Sequence, residues 1–164
     1  MGFPNAGKST FLNKVSSAKP KIADYPFTTL RPHLGTVKYS DNSFVIADIP
    51  GIIEGASDGH GLGIKFLKHI SRTGILLFFL EAFSEISVQD QFLKLKKELG
   101  DFSEKLLEKE FYVVVTKIDL IDEETRFETL NTFNAKEFEN VFGISSVTGA
   151  VSYTHLTLPT TVQV

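Results

Sequence analysis

The apolar residues of the chain follow two spacings in turn, which predict strands and helices. Continuous apolar runs at Ile75–Leu80, Phe111–Val115 and Val141–Ile144 are typical of strands buried on both faces of a parallel sheet. Helical spacing of apolar residues marks the stretch that begins at Lys8 and the lysine-rich stretch around Leu95. Strands that alternate with helices predict an α/β fold with a mostly parallel, doubly wound sheet.

Shorter patterns complete this outline. The strand-like runs Gly35–Tyr39 and Phe44–Asp48 flank the turn signal Asp41-Asn42-Ser43 and predict a β-hairpin. Residues 50–63 contain five glycines and predict a loop, after which apolar residues between positions 64 and 70 return to helical spacing. Glu123–Phe133 has the composition of an acidic helix.

The two ends of the sequence do not fit a whole domain of this class. No strand pattern precedes the first glycine motif, and no helical pattern follows residue 149. Residues 150–164 lack Asp, Glu, Lys and Arg and include Pro159. We predict a domain over residues 1–149 that is truncated at its first strand and last helix. Residues 150–164 are predicted to be an atypical tail, which reflects either a truncation or a non-native appended segment. Because the first strand is central in such sheets, we expect the chain as written to fold unstably.

Composition narrows the classes of function. Hydrophobic residues make up 42% of the chain, charged residues 23%, and the net charge is −3, as in ordinary globular domains. The absence of cysteine excludes disulfides and Cys-based metal sites. The longest apolar run, Ile75–Leu80, is far too short for a membrane span, and we predict no membrane partner. The absence of cysteine agrees with a cytosolic protein, and we predict a cytoplasmic monomer. Six Lys or Arg and one Asp in residues 1–40 suit a polyanion such as a phosphate chain or RNA, with a solvated basic face as the equal alternative.

The first motif matches the phosphate-binding pattern G-x-x-x-x-G-K-[ST]. Its glycines let backbone N–H groups turn towards a phosphate, and the helix beginning near Lys8 adds the positive end of its dipole. Lys8 is placed to reach the β- and γ-phosphates, and the Ser9 hydroxyl to coordinate Mg²⁺. The predicted phosphate-binding residues are Gly2, Phe3, Pro4, Asn5, Ala6, Gly7, Lys8, Ser9 and Thr10. Taken alone, the motif could also be an ordinary glycine turn.

Asp48-Ile49-Pro50-Gly51 ends a predicted strand and matches the D-x-x-G motif of GTPases. In that motif the carboxylate holds a Mg²⁺-bound water and the glycine N–H senses the γ-phosphate. GTPases also use a loop threonine whose hydroxyl ligates Mg²⁺, and we predict Thr29 over Thr28, although both could merely hydrogen-bond within the loop. The predicted metal ligands are therefore Ser9, Thr29 and Asp48.

The base-binding motif is Thr116-Lys117-Ile118-Asp119, which ends a buried strand and matches [NT]-K-x-D. The Asp119 carboxylate can accept from guanine N1–H and from the exocyclic amine, whereas adenine offers neither donor. The Lys117 stem would lie along the base, and Thr116 completes the motif. The short polar loop Ser145-Ser146-Val147 is predicted to contact guanine O6. Four motifs in this order predict a P-loop NTPase fold of the Ras-like G-domain type that binds GTP and GDP.

The chain resembles the Obg family of ribosome-associated GTPases over about residues 1–149. The resemblance rests on Gly-Phe-Pro-Asn-Ala-Gly-Lys-Ser at positions 2–9, on the stretch from Ala18 to Leu30, and on Asp48-Ile49-Pro50-Gly51-Ile52-Ile53-Glu54-Gly55-Ala56. It continues through Gly61-Leu62-Gly63, Phe66-Leu67 and His69-Ile70. The resemblance implies a role with the large ribosomal subunit in the full-length protein. The glycine-rich N-terminal domain of that family is not in this sequence.

The motifs also indicate how the reaction would run. Ile52 takes the place of the water-orienting Gln of many GTPases, so hydrolysis at rates on the order of 10⁻⁴ s⁻¹ or somewhat higher is expected. K⁺ held by Asn5 is a second cofactor candidate beside Mg²⁺, with a loop-stabilising role for Asn5 as the alternative. The predicted catalytic residues are Lys8, Thr29, Gly51 and Asn5. Two alternatives stay open: an ATPase of the Obg-like branch, and a nucleotide-binding module that does not hydrolyse.

Overall fold

The computed structural model describes residues 1–22, 32–48, 73–133, 140–153 and 162–163 of the chain. The predicted loop over residues 50–63, the predicted helix over 64–70, and the positions of Thr28, Thr29 and Gly51 lie outside these ranges. Within them the chain forms two sheets and three α-helices. The helices are α1 (Lys8–Val15), α2 (Val88–Phe102) and α3 (Glu123–Asn131), and short 3₁₀ turns lie at Glu104–Leu106 and Ile118–Leu120.

The first sheet is antiparallel and has the strand order β1-β2-β3. Its strands are β1 (Lys21–Ile22), β2 (His33–Tyr39) and β3 (Asn42–Asp48). The predicted hairpin is confirmed, with each strand two residues longer than predicted. Its turn is tighter than the sequence signal indicated, because Tyr39 pairs with Asn42 and only Ser40 and Asp41 lie between them. Ser40 adopts the left-handed φ of 51° that such a reversal requires.

The second sheet has the order β4-β5-β6-β7-β8. Its strands are β4 (Ile75–Glu81), β5 (Glu110–Thr116), β6 (Val141–Ile144), β7 (Ala150–Tyr153) and β8 (Val162–Gln163). The three predicted buried strands are confirmed as β4, β5 and β6, which pair in parallel. The strands β7 and β8 are antiparallel to their neighbours. A parallel return would need a long crossover, whereas only residues 145–149 join β6 to β7.

Side chains of β4, β5 and β6 alternate between two apolar clusters, one on each face of the sheet. One cluster joins Phe78, Leu80, Val113 and Val115 to Phe92, Leu95 and Leu99 of α2. The other joins Phe79, Val114 and Ile144 to Ala6 and to Phe11 of α1. Burial of both faces explains why these strands read as unbroken apolar runs in the sequence. Helices on both faces are the doubly wound arrangement predicted from the sequence.

The helix ends follow local hydrogen bonding. The Ser87 hydroxyl accepts from Asp90 N–H at the start of α2, and the Asp122 carboxylate accepts from Thr125 N–H at the start of α3. The predicted acidic helix ends at Asn131 and not at Phe133, whose ring is buried in the core beyond the helix end. In the described part of the chain, every helix is too short or too polar to cross a bilayer.

Residues 150–153 form a regular strand of the sheet, although the sequence predicts an atypical tail from residue 150. Val151 of β7 pairs with Ile144 of β6, and β8 lies at the outer edge of the sheet beside β7. An edge position is the one expected for a segment that contains proline. Pro159 itself lies outside the described residues. The proposed domain limit at residue 149 stays a prediction.

Met1 and Gly2 pair with β4 on the side away from β5. The backbone nitrogen of Met1 donates to Leu77 O at 2.6 Å, and Phe79 N donates to Met1 O at 2.7 Å. Gly2 forms a parallel bridge with Phe79. A Cβ atom on Gly2 would lie 2.6 Å from Phe79 O, so only glycine permits this approach. The Met1–Gly2 segment leads directly into the glycine loop. The instability that we expect for the chain as written stays a prediction.

Candidate functional site

The glycine loop between Gly2 and Lys8 is shaped by two residues in the left-handed region. Asn5 has φ 64° and Gly7 has φ 83°. Asparagine and glycine are the residues that tolerate this conformation best. Gly7 is the cap residue of α1 and provides no side-chain cap to the helix. The first N–H groups of α1 are therefore not covered by a capping side chain and stay suited to an anion.

Lys8 lies over this loop. Its ammonium donates to Gly2 O at 2.7 Å and to Phe3 O at 2.8 Å, so the positive charge is held at the loop by two of its own carbonyls. Burial lowers the pKa of Lys8 below its ordinary 10.5, and the nearby Asp48 carboxylate partly opposes this shift. Both carbonyl partners are neutral, so a phosphate chain in the loop would give the Lys8 ammonium charged hydrogen-bond partners in their place.

Ser9 and Asp48 lie in contact although 39 positions separate them in the sequence. The Ser9 hydroxyl donates to Asp48 Oδ2 at 2.7 Å. The first turn of α1 carries the serine, and the last residue of β3 carries the aspartate. A hydroxyl and a carboxylate are oxygen donors of the kind that Mg²⁺ prefers, and this cation usually takes few protein ligands beside phosphates and waters. The pair fits the predicted metal, whose third predicted ligand, Thr29, lies outside the described residues.

The other predicted loop residues divide by exposure. Gly2 and Ala6 are buried, and Phe3 is half-buried against the core. These three residues can therefore contribute backbone groups to a phosphate site, but not side chains. Pro4, Asn5 and Thr10 are exposed.

Thr116 joins the base motif to the glycine loop. Its side chain is 2% exposed, and its hydroxyl lies 3.0 Å from Ala6 O and 3.1 Å from Leu80 O. These contacts fasten the end of β5 to the loop and to β4 together. The binding role predicted for Thr116 stays a prediction, and the structure adds a bracing role that the motif alone did not indicate.

Lys117 has a left-handed backbone, with φ 59° and ψ 33°, and leads into the 3₁₀ turn Ile118–Leu120. Its ammonium donates to the Glu81 carboxylate at 2.5 Å. Asp119, the predicted guanine acceptor, is exposed within the turn. Arg126 of α3 donates to Ile118 O at 2.9 Å and so fastens the turn to that helix.

The loop after β6 is closed by its own hydrogen bonds. Gly149 N donates to Ser145 O at 2.9 Å, and Thr148 N donates to Ser145 Oγ at 3.1 Å. Ser145 is buried at 2% exposure, whereas Val147 is 79% exposed. Ser145 thus shapes the loop from within, and the accessible members of the predicted trio are Ser146 and Val147.

These elements meet at one edge of the second sheet. Parallel strands bring their carboxyl ends together, and open α/β sheets bind ligands there. Glu81 pairs in register with Thr116, so Lys117 follows β5 where β4 ends. Ser145 follows β6 next to them. The structure therefore joins the glycine loop, the base motif and the Ser145 loop at one edge.

Two further residues of this edge were not predicted from the sequence. Glu81 ends β4 and pairs with Lys117, and Gln91 is buried beneath Glu81. A signal existed for each. Glu81 is a carboxylate directly after an apolar run, and Gln91 lies one helical turn before the buried Leu95, on the core side of α2.

Comparison with known proteins gives both sequence relatives and structural neighbours. The sequence model of the family described as "50S ribosome-binding GTPase" matches residues 1–117. GTPase Obg of Chloroherpeton thalassium is 55% identical over 150 residues, which are 91% of this chain and 44% of that protein. GTPase Obg of Rickettsia akari is 50% identical over 148 residues, covering 90% of this chain and 44% of that protein. The chain thus spans less than half the length of these curated relatives.

Among solved structures, the G domain of the T. maritima FeoB iron transporter has a TM-score of 0.60 at 20% identity, covering 90% of this chain and 85% of that one. The cytosolic domain of L. pneumophila FeoB has a TM-score of 0.60 at 18% identity, covering 88% and 59%. Identities this low show the fold alone. The predicted α/β P-loop fold is confirmed.

Proposed function

Because this chain belongs to the Obg family of GTPases, we propose that it binds guanine nucleotide and hydrolyses GTP slowly to GDP and phosphate. The observation that carries the proposal is the contact between Ser9 and Asp48 beside the loop that Lys8 spans. The predicted phosphate-binding residue Lys8 and the predicted metal ligand Ser9 begin α1, and the second predicted metal ligand, Asp48 at the end of β3, lies beside them.

The phosphates would bind in the glycine loop. The N–H groups of residues 5–9 and the start of α1 supply donors, and Lys8 exchanges its two carbonyl partners for phosphate oxygens. This exchange replaces neutral acceptors by charged ones, which form stronger hydrogen bonds with an ammonium.

A Mg²⁺ ion would be held by Ser9 and, through a water, by Asp48, with Thr29 as the third predicted ligand. When bound, the ion neutralises charge on the phosphate oxygens. Ser9 and Asp48 would then exchange their mutual hydrogen bond for contacts in the metal shell.

The guanine base would bind at Asp119, whose carboxylate accepts from N1–H and from the exocyclic amine. The aliphatic stem of Lys117 covers one side of the base, and Ser146 and Val147 approach O6. Ser145 and Thr116 shape the two loops from within. Their burial supports a role for these two side chains in holding the loops, beside the binding roles that we propose for both residues.

For hydrolysis we propose Lys8, Asn5, Thr29 and Gly51 as the contributing residues. The Ile52 side chain has no polar atom with which to orient the attacking water, so turnover is slow, on the order of 10⁻⁴ s⁻¹ or somewhat higher. The left-handed turn at Asn5 leaves its amide exposed at the loop, where it could share a K⁺ ion with the phosphates. The protein would then act as a timer, whose signal is the difference in conformation between its GTP-bound and GDP-bound states.

For the cellular role we propose a cytoplasmic monomer whose full-length form acts on the large ribosomal subunit during its assembly. The support for the ribosomal role is the description of the matching family as a 50S ribosome-binding GTPase.

The decisive test is titration with a fluorescent GDP analogue, competition by GTP and ATP, and single-turnover phosphate release. Lys8→Met should weaken binding by about 10- to 100-fold, the value of a charge-assisted hydrogen bond or two, while Lys14→Met on the exposed side of α1 should not. Asp119→Asn should shift preference from guanine to xanthine nucleotides, with Glu123→Gln as its control.

The outcomes separate the alternatives. Equal competition by ATP would favour the ATPase of the Obg-like branch. Tight GTP binding without phosphate release would favour a non-hydrolysing module. No guanine-nucleotide binding by a folded chain would overturn the proposal.

A further inference from the structure

The amide of Gln91 continues the hydrogen bonding of β4 beyond the Met1–Gly2 segment. Leu77 O and Phe79 N bond to Met1. Two residues further on, Glu81 N donates to Gln91 Oε1 at 2.9 Å, and Gln91 Nε2 donates to Glu81 O at 2.9 Å. Alternate residues of a strand direct their N–H and C=O groups to the same side. The side-chain amide of Gln91 therefore takes the next hydrogen-bonding position on the side of β4 that pairs with Met1 and Gly2.

Gln91 also fixes the chain after the strand. Its Nε2 donates to Ile86 O at 2.8 Å, so one amide joins the end of β4 to the residue before the Ser87 cap of α2. The side chain is 2% exposed, and all three bonds go to backbone groups. A buried amide with this many partners sets the position of Glu81 closely.

Glu81 in turn holds Lys117. The two residues lie at neighbouring strand ends, because Glu81 pairs in register with Thr116. Their side chains are 20% and 34% exposed, so the ion pair is partly shielded from solvent. The left-handed backbone of Lys117 is uncommon for a lysine and persists only where its surroundings support it. The carboxylate of Glu81 is a support of this kind.

We propose that Gln91 and Glu81 are positioning residues of the guanine-binding loop: Gln91 orients Glu81, and Glu81 holds the Lys117 ammonium so that the lysine stem and Asp119 face the base. The inference rests on the proposed guanine site and adds to it two residues outside the base motif. Neither residue needs to touch the nucleotide. Their effect is on the affinity for the base and not on the reaction at the γ-phosphate.

A double-mutant cycle tests the first link. Glu81→Ala should raise the Kd for GDP about tenfold, within the range measured for contacting residues, and should raise KM for GTP while kcat stays unchanged. In a Lys117→Ala background the same change should have no further effect. Glu85→Ala, an exposed glutamate of the loop after β4, is the matched control. An equal loss of GDP affinity from Glu81→Ala in both backgrounds would overturn the proposal.

The second link is tested with Gln91→Glu. A carboxylate keeps the size of the amide and can accept from Glu81 N, but it cannot donate to Glu81 O or Ile86 O. We expect a loss of GDP affinity similar to that of Glu81→Ala, while Gln89→Glu on the exposed side of α2 has none. Unchanged GDP affinity in Gln91→Glu would overturn this link. If circular dichroism shows that Gln91→Glu is unfolded, the Glu81–Lys117 cycle alone decides the proposal. Failure of the wild-type chain to bind GDP would count against the proposed function instead.

Discussion

The Ser9 hydroxyl lies 2.7 Å from the Asp48 carboxylate, and this bond joins the first turn of α1 to the end of β3. It brings together two residues that the motifs assign independently to the same metal ion. The contact also links the two sheets of the molecule at the glycine loop, because β3 belongs to the first sheet and the loop pairs with β4 of the second.

Ser9→Ala should weaken Mg²⁺-dependent GTP binding by about tenfold or more. Even the loss of a residue that only hydrogen-bonds to a metal ligand lowers metal affinity by about 10- to 100-fold. The measurement is GTP affinity with and without Mg²⁺. Ser43→Ala, on an exposed position of β3, should leave both values unchanged. If the ratio of the two affinities stayed the same in Ser9→Ala, Ser9 would not be a metal ligand.

Thr116→Val should lower the free energy of unfolding by about 1–3 kcal/mol, because it leaves Ala6 O and Leu80 O without a buried hydroxyl while it keeps the side-chain shape. GDP affinity should fall as well, since the hydroxyl braces the loop. Thr116→Ser restores the donor and should recover most of the affinity. Urea denaturation and GDP titration of both variants would measure this. A valine variant as stable and as tight-binding as the wild type would rule out the brace.

Hydrolysis should run about tenfold faster in K⁺ than in Na⁺ at equal ionic strength, if Asn5 shares a monovalent ion with the phosphates. Asn5→Gly keeps the left-handed turn accessible but removes the amide, so the two salts should then give equal rates. Single-turnover phosphate release measures both. Equal rates in K⁺ and Na⁺ for the wild type would instead favour the loop-stabilising role.

Asp122 should make the stability of α3 depend on acid pH. Hydrogen bonds from the Thr125 N–H and hydroxyl lower the pKa of Asp122 below its ordinary 3.8. A carboxyl with a lower pKa in the folded state stabilises the fold above the unfolded pKa, and this contribution is lost as pH falls through the folded value. Asp122→Asn retains a capping side chain without the titration. The melting temperatures of the two proteins should converge as the pH drops below 3.8. A constant difference down to that range would contradict the assignment.

Local sequence was sufficient to predict the three buried strands, the hairpin and the glycine loop. The apolar runs of β4, β5 and β6 predict buried strands because a strand covered on both faces has no polar side to show. The glycine motif predicts the loop because its backbone conformations are local properties of Gly7 and Asn5. The hairpin could also be predicted locally, because its turn signal and its two strand-like runs are adjacent in the sequence.

The tertiary structure decided which residues support these motifs. Thr116 meets Ala6 across 110 positions and Lys117 meets Glu81 across 36, and such contacts depend on the order of strands in the sheet. The burial of Gln91 is visible in the helical pattern, but its partners are backbone groups that carry no sequence signal. The same holds for β7, whose antiparallel pairing with β6 follows from a short closed loop and an open sheet edge. Motifs and periodicity are encoded in neighbouring residues, whereas pairing across the sheet exists only once the strands have assembled.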